Sequence, residues 1–105
     1  MNRKQKLIAA AALAAVAATW AIPAQAGRTL NAVKSRGMVV CGVNTAAPGF
    51  SGADSRGHWK GLDVDICRAV AAAVLKDANK VKFVPLSSEQ RFTALQSGQI
   101  DILAR

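Results

Sequence analysis

At 105 residues the chain holds one small domain at most, and its 14 basic against 6 acidic residues give a formal net charge of +8. The basic residues are scattered without interleaved aromatic side chains, so this charge does not indicate a nucleic-acid-binding surface. Two cysteines 26 positions apart, with His58 between them, make a poor zinc signature. We therefore expect no nucleic-acid partner and no metal.

The first 26 residues have the pattern of an export signal. Arg3, Lys4 and Lys6 form a positive start, residues 7–22 are apolar apart from Thr19, and residues 24–26 read Ala-Gln-Ala, the small-x-small pattern of a cleavage site. The pattern predicts cleavage after Ala26 and a periplasmic product. A retained membrane anchor is the alternative, but the apolar run is shorter than the roughly 20 residues that span a bilayer.

The remaining residues, 27–105, alternate between helical and strand-like patterns. Periodicity and turn residues predict, in chain order, helix 30–35, strand 38–43, loop 44–61 with a small hairpin, helix 62–76, strand 81–84, helix 87–97 and strand 100–104. The order β-α-β-α-β predicts an α/β fold with a parallel sheet and right-handed crossovers. Two crossover helices are too few to cover both faces of such a sheet, so we expect an incomplete domain.

Local signals refine these helices. Thr29 is predicted to cap the first helix and Gly37 to end it, while Ser87 with Gln90 forms a capping box and Gly98 ends the last helix. The expected apolar faces of the second and third helices are carried by Ile66, Val70, Ala73 and Val74, and by Phe92 and Leu95. Pro85 is expected to close the second strand.

Cys41 and Cys67 are open to two interpretations. Export places them in an oxidising compartment, where a pair of cysteines is usually bridged. A loop of this length gives an entropic stabilisation of about 3.5 kcal/mol in the chain-entropy model. The alternative is that both residues are small buried hydrophobic side chains.

Residues 27–105 resemble the opening of the extracellular solute-binding proteins of bacterial ABC importers, in particular the polar and general L-amino-acid receptors. The most specific motifs are G-L-D-V-D at 61–65 and R-F-T-A-L-Q-S-G-Q-I-D at 91–101, and the general receptors share both cysteines and the phrase Cys-Gly-Val-Asn at 41–44. Supporting blocks lie at 39–44, 48–50 and 83–87. Leu62 departs from the phenylalanine usual in the family, an apolar exchange expected to cost under about 1.5 kcal/mol.

The resemblance implies a two-lobe α/β fold that traps an L-amino acid between its lobes and delivers it to an inner-membrane ABC permease. Residues 27–105 would then be part of lobe one, an N-terminal fragment of a receptor that is monomeric when complete. The family's carboxylate-clamping arginine lies about eight positions beyond Arg105, and its amine-binding acid lies in lobe two. We therefore expect the chain alone to bind amino acids weakly or not at all.

Ligands of open α/β sheets bind beyond the carboxyl ends of the strands, which selects the loops after the three predicted strands. This rule and the resemblance to the family, which implies that Ala46, Ser88 and Arg105 align with cleft-lining positions, together give the candidate ligand-binding residues Asn44, Ala46, Phe50, Ser87, Ser88, Arg91 and Arg105. Relatives often carry an aromatic residue at the position of Ser88, and this sequence does not.

Simpler roles stay open for four of these candidates. Asn44 also suits a turn, Ser87 also suits a helix cap, Phe50 also suits loop packing, and Arg91 also suits a solvated surface.

No catalytic constellation or cofactor motif stands out. Asp63 and Asp65 are paired carboxylates, but their position at a helix start favours interaction with the helix dipole over acid–base chemistry. We therefore predict a binding protein without enzymatic activity or cofactor. The alternatives are a periplasmic dehydratase-like enzyme, or a sensor domain, on the same scaffold.

Overall fold

The computed structural model describes residues 1–18 and 27–105, so the predicted cleavage site at 24–26 lies outside the described residues. The elements are α1 (Arg3–Ala18), α2 (Gly27–Arg36), β1 (Val39–Asn44), β2 (Gly52–Ala53), β3 (Trp59–Lys60), α3 (Leu62–Leu75), β4 (Val81–Leu86), α4 (Arg91–Gln96) and β5 (Ile102–Leu103). In the described ranges, no helix is both long and apolar enough to cross a membrane.

A three-stranded parallel sheet in the order β4-β1-β5 forms the centre of the fold, which confirms the predicted α/β class. β1 pairs with β4 along its whole length, from Val39 opposite Val81 to Asn44 opposite Leu86. Val39, Cys41 and Val43 alternate along β1, so all three point to the face of the sheet that α3 covers, and they are at most 1% exposed. β2 and β3 form the predicted hairpin as a separate antiparallel pair.

The cysteine pair forms a disulfide that joins β1 to α3, as one of the two interpretations predicted. Cys41 and Cys67 are both fully buried, and their Cα atoms are 6.3 Å apart. Val43 and Val64 pack in the same core cluster, so the bridge lies inside the hydrophobic core.

The predicted apolar face of α3 is only partly correct, because Val74 packs against the core while Ile66 and Ala73 are exposed. The face that meets the sheet carries Val64, Cys67 and Ala71, all fully buried, whereas Ile66 is 46% exposed. The disulfide holds Cys67 against β1, and residues three before and four after it lie on the same helical face. Sequence periodicity favoured the neighbouring face because that face carries larger aliphatic side chains.

The predicted face of α4 is wrong. Phe92 and Leu95 are 57% and 40% exposed, and Ala94 is the buried residue of this helix. Ala94 packs with Leu86 and Ile100. A small side chain at this position lets the helix approach the sheet closely.

Several predicted boundaries change, and α4 begins at Arg91, four residues after its predicted start at Ser87. α2 begins at Gly27, so Thr29 lies inside its first turn and does not cap it. β4 continues through Pro85 to Leu86, because β4 pairs with β1 on one side only. The predicted helix ends are confirmed: Gly37 and Gly98 both have positive φ, and the Gly37 N–H donates to the Val33 carbonyl at 2.8 Å.

Candidate functional site

The carboxyl ends of the three parallel strands meet at one edge of the sheet. Asn44 at the end of β1 lies opposite Leu86 at the end of β4, and Gly42 lies opposite Leu103 of β5. Continued by two residues, the second register brings Arg105 level with Asn44. Most of the sequence-predicted site residues therefore lie around one row across the sheet.

Arg105 reaches from the β5 side of this row to the β4 side. Its Nη1 donates to the Leu86 carbonyl at 2.9 Å, and its Nη2 donates to Ser88 Oγ at 3.2 Å. Since β1 lies between β4 and β5, the side chain crosses the end of β1. The structure thus brings together Arg105 and Ser88, two residues that the sequence placed in different loops.

Ser87 and Gln90 make the reciprocal contacts of the predicted capping box. The Ser87 N–H donates to Gln90 Oε1 at 3.4 Å, and the Gln90 N–H donates to Ser87 Oγ at 3.3 Å. Residues 88–90 form a turn, and the helix itself begins only at Arg91. Ser87 therefore closes the turn that precedes α4 and does not cap the helix, whose N-cap residue is Gln90.

Charge at this edge comes from Arg91, Arg105 and Glu89. Arg91 is half-buried, and its Nε is buried with no hydrogen-bond partner among the described residues. The Arg91 guanidinium lies 4.7 Å from the centroid of the Phe92 ring. The pKa of Glu89 is lowered by its own backbone N–H, then by the Ser87 hydroxyl and the charges of Arg105 and Arg91. Both guanidinium groups therefore act on this one carboxylate.

Asn44 organises the loop that follows β1. Its Oδ1 accepts from the Ala46 N–H and the Thr45 hydroxyl, both at 3.5 Å, and its carbonyl accepts from Ser51 Oγ at 3.1 Å. Ser51 is 1% exposed and anchors the far end of the loop, a role that sequence reasoning missed. Neither Phe50 nor Gly52, its neighbours in the sequence, indicated that Ser51 would be buried and anchor the loop.

Ala46 and Phe50 lie on this separate loop. Ala46 is exposed, and Phe50 is 53% exposed. The Phe50 carbonyl accepts from the Asp63 N–H at 2.9 Å, and the Gly49 carbonyl accepts from the Leu62 N–H at 3.0 Å. These backbone contacts attach the loop to the start of α3.

In the part of the chain that the structure describes, no group of three or more histidine, cysteine, aspartate or glutamate side chains is arranged to hold a metal ion. The groups that the candidate site offers are serine hydroxyls, guanidinium groups and backbone carbonyls. Such groups suit a polar or anionic ligand.

The chain is similar to a family of known proteins. Residues 39–105 match the model of the bacterial extracellular solute-binding proteins, family 3. The general L-amino acid-binding periplasmic protein AapJ of Rhizobium johnstonii is 54% identical over 102 residues, which are 97% of this chain and 30% of that protein. The chain thus spans about 30% of the length of the curated relatives it matches.

Two solved structures extend the comparison. A periplasmic binding protein of an ABC transporter from Brucella ovis, with glutathione bound, is 55% identical with a TM-score of 0.70, over 71% of this chain and 23% of that one. An ancestral amino acid-binding protein, a precursor of cyclohexadienyl dehydratase, is 33% identical with a TM-score of 0.65, over 72% of this chain and 32% of that one.

The Rhizobium johnstonii and Brucella ovis proteins are both named as binding proteins. The family match covers more than half of the chain, from β1 through the parallel sheet to Arg105. The resemblance predicted from the sequence motifs is confirmed: this chain belongs to the bacterial extracellular solute-binding proteins of family 3.

Proposed function

We propose that the chain is part of an exported receptor that captures L-amino acids and delivers them to an inner-membrane ABC permease. The observation that carries this proposal is that Ser88, Arg91 and Arg105 lie at the carboxyl edge of a parallel sheet, where such folds bind ligands. The 54% identity to a general L-amino acid-binding protein supports the ligand class.

Within this proposal the seven candidate residues have different roles. Ser88, Arg91 and Arg105 would contact the ligand, because they supply donors beside the ends of β4 and β5. Ala46 and Phe50 would line the cleft from the loop after β1. Ser87 and Asn44 would shape the site indirectly, because their side chains already make the hydrogen bonds that hold the turn before α4 and the loop after β1.

The segment assignment follows the same reasoning. Residues 1–26 would be the export signal, and residues 27–105 would be part of lobe one of the receptor. Residues 1–12 are almost entirely exposed, so the first part of α1 contributes little to the core. Removing the segment at export would leave the sheet and its disulfide intact.

Ligand capture is tested on the complete product of the gene, purified from the periplasm. Calorimetric titration with a panel of L-amino acids and glutathione is expected to give micromolar or tighter dissociation constants for several amino acids. Glutathione belongs in the panel because its γ-glutamyl end presents an amino-acid group, and the Brucella ovis relative was solved with it. Absence of binding to every member of the panel would refute the proposal.

An enzyme on the same scaffold is the second candidate, favoured by the likeness to a dehydratase precursor. Glu89 is the acidic side chain beside Arg105, and its lowered pKa keeps it ionised near neutral pH, so it is poorly suited to act as a general acid. Incubation of the purified protein with cyclohexadienyl compounds, the substrate class in the name of that dehydratase, is expected to give no dehydrated product. Turnover that disappears in Glu89→Gln would support the enzyme instead.

A further inference from the structure

Arg105 occupies an unusual position in the sheet. It follows β5, yet its guanidinium is fixed by acceptors at the end of β4, two strands away. A guanidinium carries five N–H donors, and the hydrogen bonds to Leu86 and Ser88 use two of them, which leaves three. The group is therefore held in place while it still has donors for another molecule.

The surroundings of Arg105 carry surplus positive charge. Arg91 lies near enough to Glu89 to act on the same carboxylate, and the buried Nε of Arg91 lacks a partner within the described ranges. This edge thus carries two positively charged guanidinium groups and one exposed carboxylate, that of Glu89. Such an edge favours a ligand whose own charge is negative.

This surplus bears on the choice among amino acids. A neutral amino acid is a zwitterion, so its ammonium group lies close to its α-carboxylate and opposes binding beside two cations. An amino acid with a second carboxylate has a net negative charge, and its side-chain carboxylate can approach the guanidinium groups alone. A bidentate guanidinium–carboxylate pair is among the strongest contacts available to that group.

We propose that Arg105, positioned by Leu86 and Ser88 and assisted by Arg91, determines specificity by binding a carboxylate on the side chain of the ligand. The inference rests on the proposed function and narrows its substrate class to amino acids and γ-glutamyl compounds with a second negative charge. Ser88 is a positioning residue in this scheme, because its hydroxyl holds Arg105 Nη2.

The test compares glutamate with glutamine, which have nearly the same shape and differ in side-chain charge. Dissociation constants are measured by calorimetry on the complete gene product and its Arg105→Gln variant. The variant is expected to weaken glutamate binding about tenfold or more, and glutamine binding by less than about threefold. Arg105→Lys keeps the charge and should recover part of the preference.

Two further variants separate specificity from structural support. Ser88→Ala removes the acceptor of Arg105 Nη2 and should weaken glutamate binding more than glutamine binding, so that the preference for glutamate falls partway. Arg56→Gln removes an equal charge from the exposed turn of the β2–β3 hairpin and should leave both dissociation constants unchanged. Thermal melting of each variant measures any loss of folding.

The outcomes distinguish the two proposals. Equal affinity of the wild type for glutamate and glutamine, or an equal loss for both in Arg105→Gln, would overturn this inference and leave the receptor function standing. A lower melting temperature of Arg105→Gln with unchanged preference would assign Arg105 a purely structural role. Failure of the wild type to bind any amino acid would refute the receptor function itself.

Discussion

At the scale of single residues, Gly61 shows how one backbone position fixes the loop that precedes α3. Its φ is +126°, and a Cβ at this position would overlap the Phe50 carbonyl, which accepts the Asp63 N–H at 2.9 Å. Only glycine adopts this backbone without strain. The residue therefore secures the contact between the loop after β1 and the start of α3.

Replacing Gly61 by alanine is expected to lower the free energy of unfolding by about 2–4 kcal/mol, through backbone strain and displacement of Phe50. Urea denaturation of the full chain measures this loss. Gly52→Ala is the matched control, because a Cβ at Gly52 meets no atom within 4 Å, and it should change stability by under about 1 kcal/mol. Equal effects of the two substitutions would contradict this account.

Asp54 gives a pH-dependent prediction in the hairpin. Its pKa is lowered from 3.8, chiefly by the backbone N–H of His58, with further contributions from the Arg56 N–H and the charges of His58 and Lys60. Because the folded pKa is depressed, the ionised form stabilises the turn. That contribution is fully present above pH 3.8 and is lost as the pH falls through the folded pKa.

Carboxyl NMR titration of residues 27–105 should therefore give Asp54 a midpoint below 3.8. In Asp54→Ala, the amides of Arg56 and His58 should lose their protection from hydrogen exchange, since each donates to Asp54 Oδ1 at 2.9 Å. A midpoint at or above the ordinary value would contradict the geometry of this turn.

At the scale of elements, the disulfide is the strongest connection between α3 and the sheet. Double substitution of Cys41 and Cys67 by alanine is expected to lower the free energy of unfolding by about 2–5 kcal/mol. Urea denaturation with and without dithiothreitol provides the measurement. The wild type should be sensitive to the reductant and the double variant insensitive, and equal stability of the two proteins under oxidising conditions would contradict the prediction.

Asp101 joins α2, β1 and the start of β5. Its carboxylate pairs with Arg36 and accepts the Val40 N–H at 2.8 Å, while Arg36 also donates to the Met38 carbonyl at 2.9 Å. The Asp101 side chain is only 10% exposed, so its hydrogen bonds are poorly replaced by water.

Asp101→Ala is therefore expected to destabilise the chain by about 1–3 kcal/mol, because it leaves the Val40 N–H without its acceptor. Asp65 is the matched control, since its carboxylate is 71% exposed and pairs with Arg68 three positions away. Asp65→Ala should cost under about 1 kcal/mol in the same denaturation experiment. A loss at Asp65 as large as that at Asp101 would refute the assigned role of Asp101.

The helices and strands were easier to predict from the sequence than the faces by which the helices pack against the sheet. The α/β order, the hairpin and the helix ends at Gly37 and Gly98 follow from local patterns, and all are observed. The buried faces of α3 and α4 depend on the disulfide and on the small side chain of Ala94. Apolar periodicity does not predict either feature, because it favours the face with the larger aliphatic side chains. The Arg105–Ser88 contact was beyond prediction, because it requires knowing that β1 lies between β4 and β5.

At the scale of the whole molecule, the proposed export signal makes a direct prediction. The mature protein recovered from the periplasm should begin at Gly27, as measured by intact mass or N-terminal sequencing. Substituting Ala26 by a bulky residue should block processing and leave the larger precursor at the membrane, because the peptidase accepts only small side chains there. A mature start elsewhere would correct the proposed boundary.

Pro85 makes the β4 edge of the sheet less able to pair with a further strand than the β5 edge. The Val39 N–H donates to the Lys80 carbonyl, so in this register the nitrogen of Pro85 faces away from β1, on the outer side of β4. A strand approaching that side would find no N–H at this position, which discourages unwanted edge pairing. The β5 side has no such block in the described residues, so a further strand would pair more readily there, next to Arg105, and would extend the row of proposed ligand-binding residues from that end.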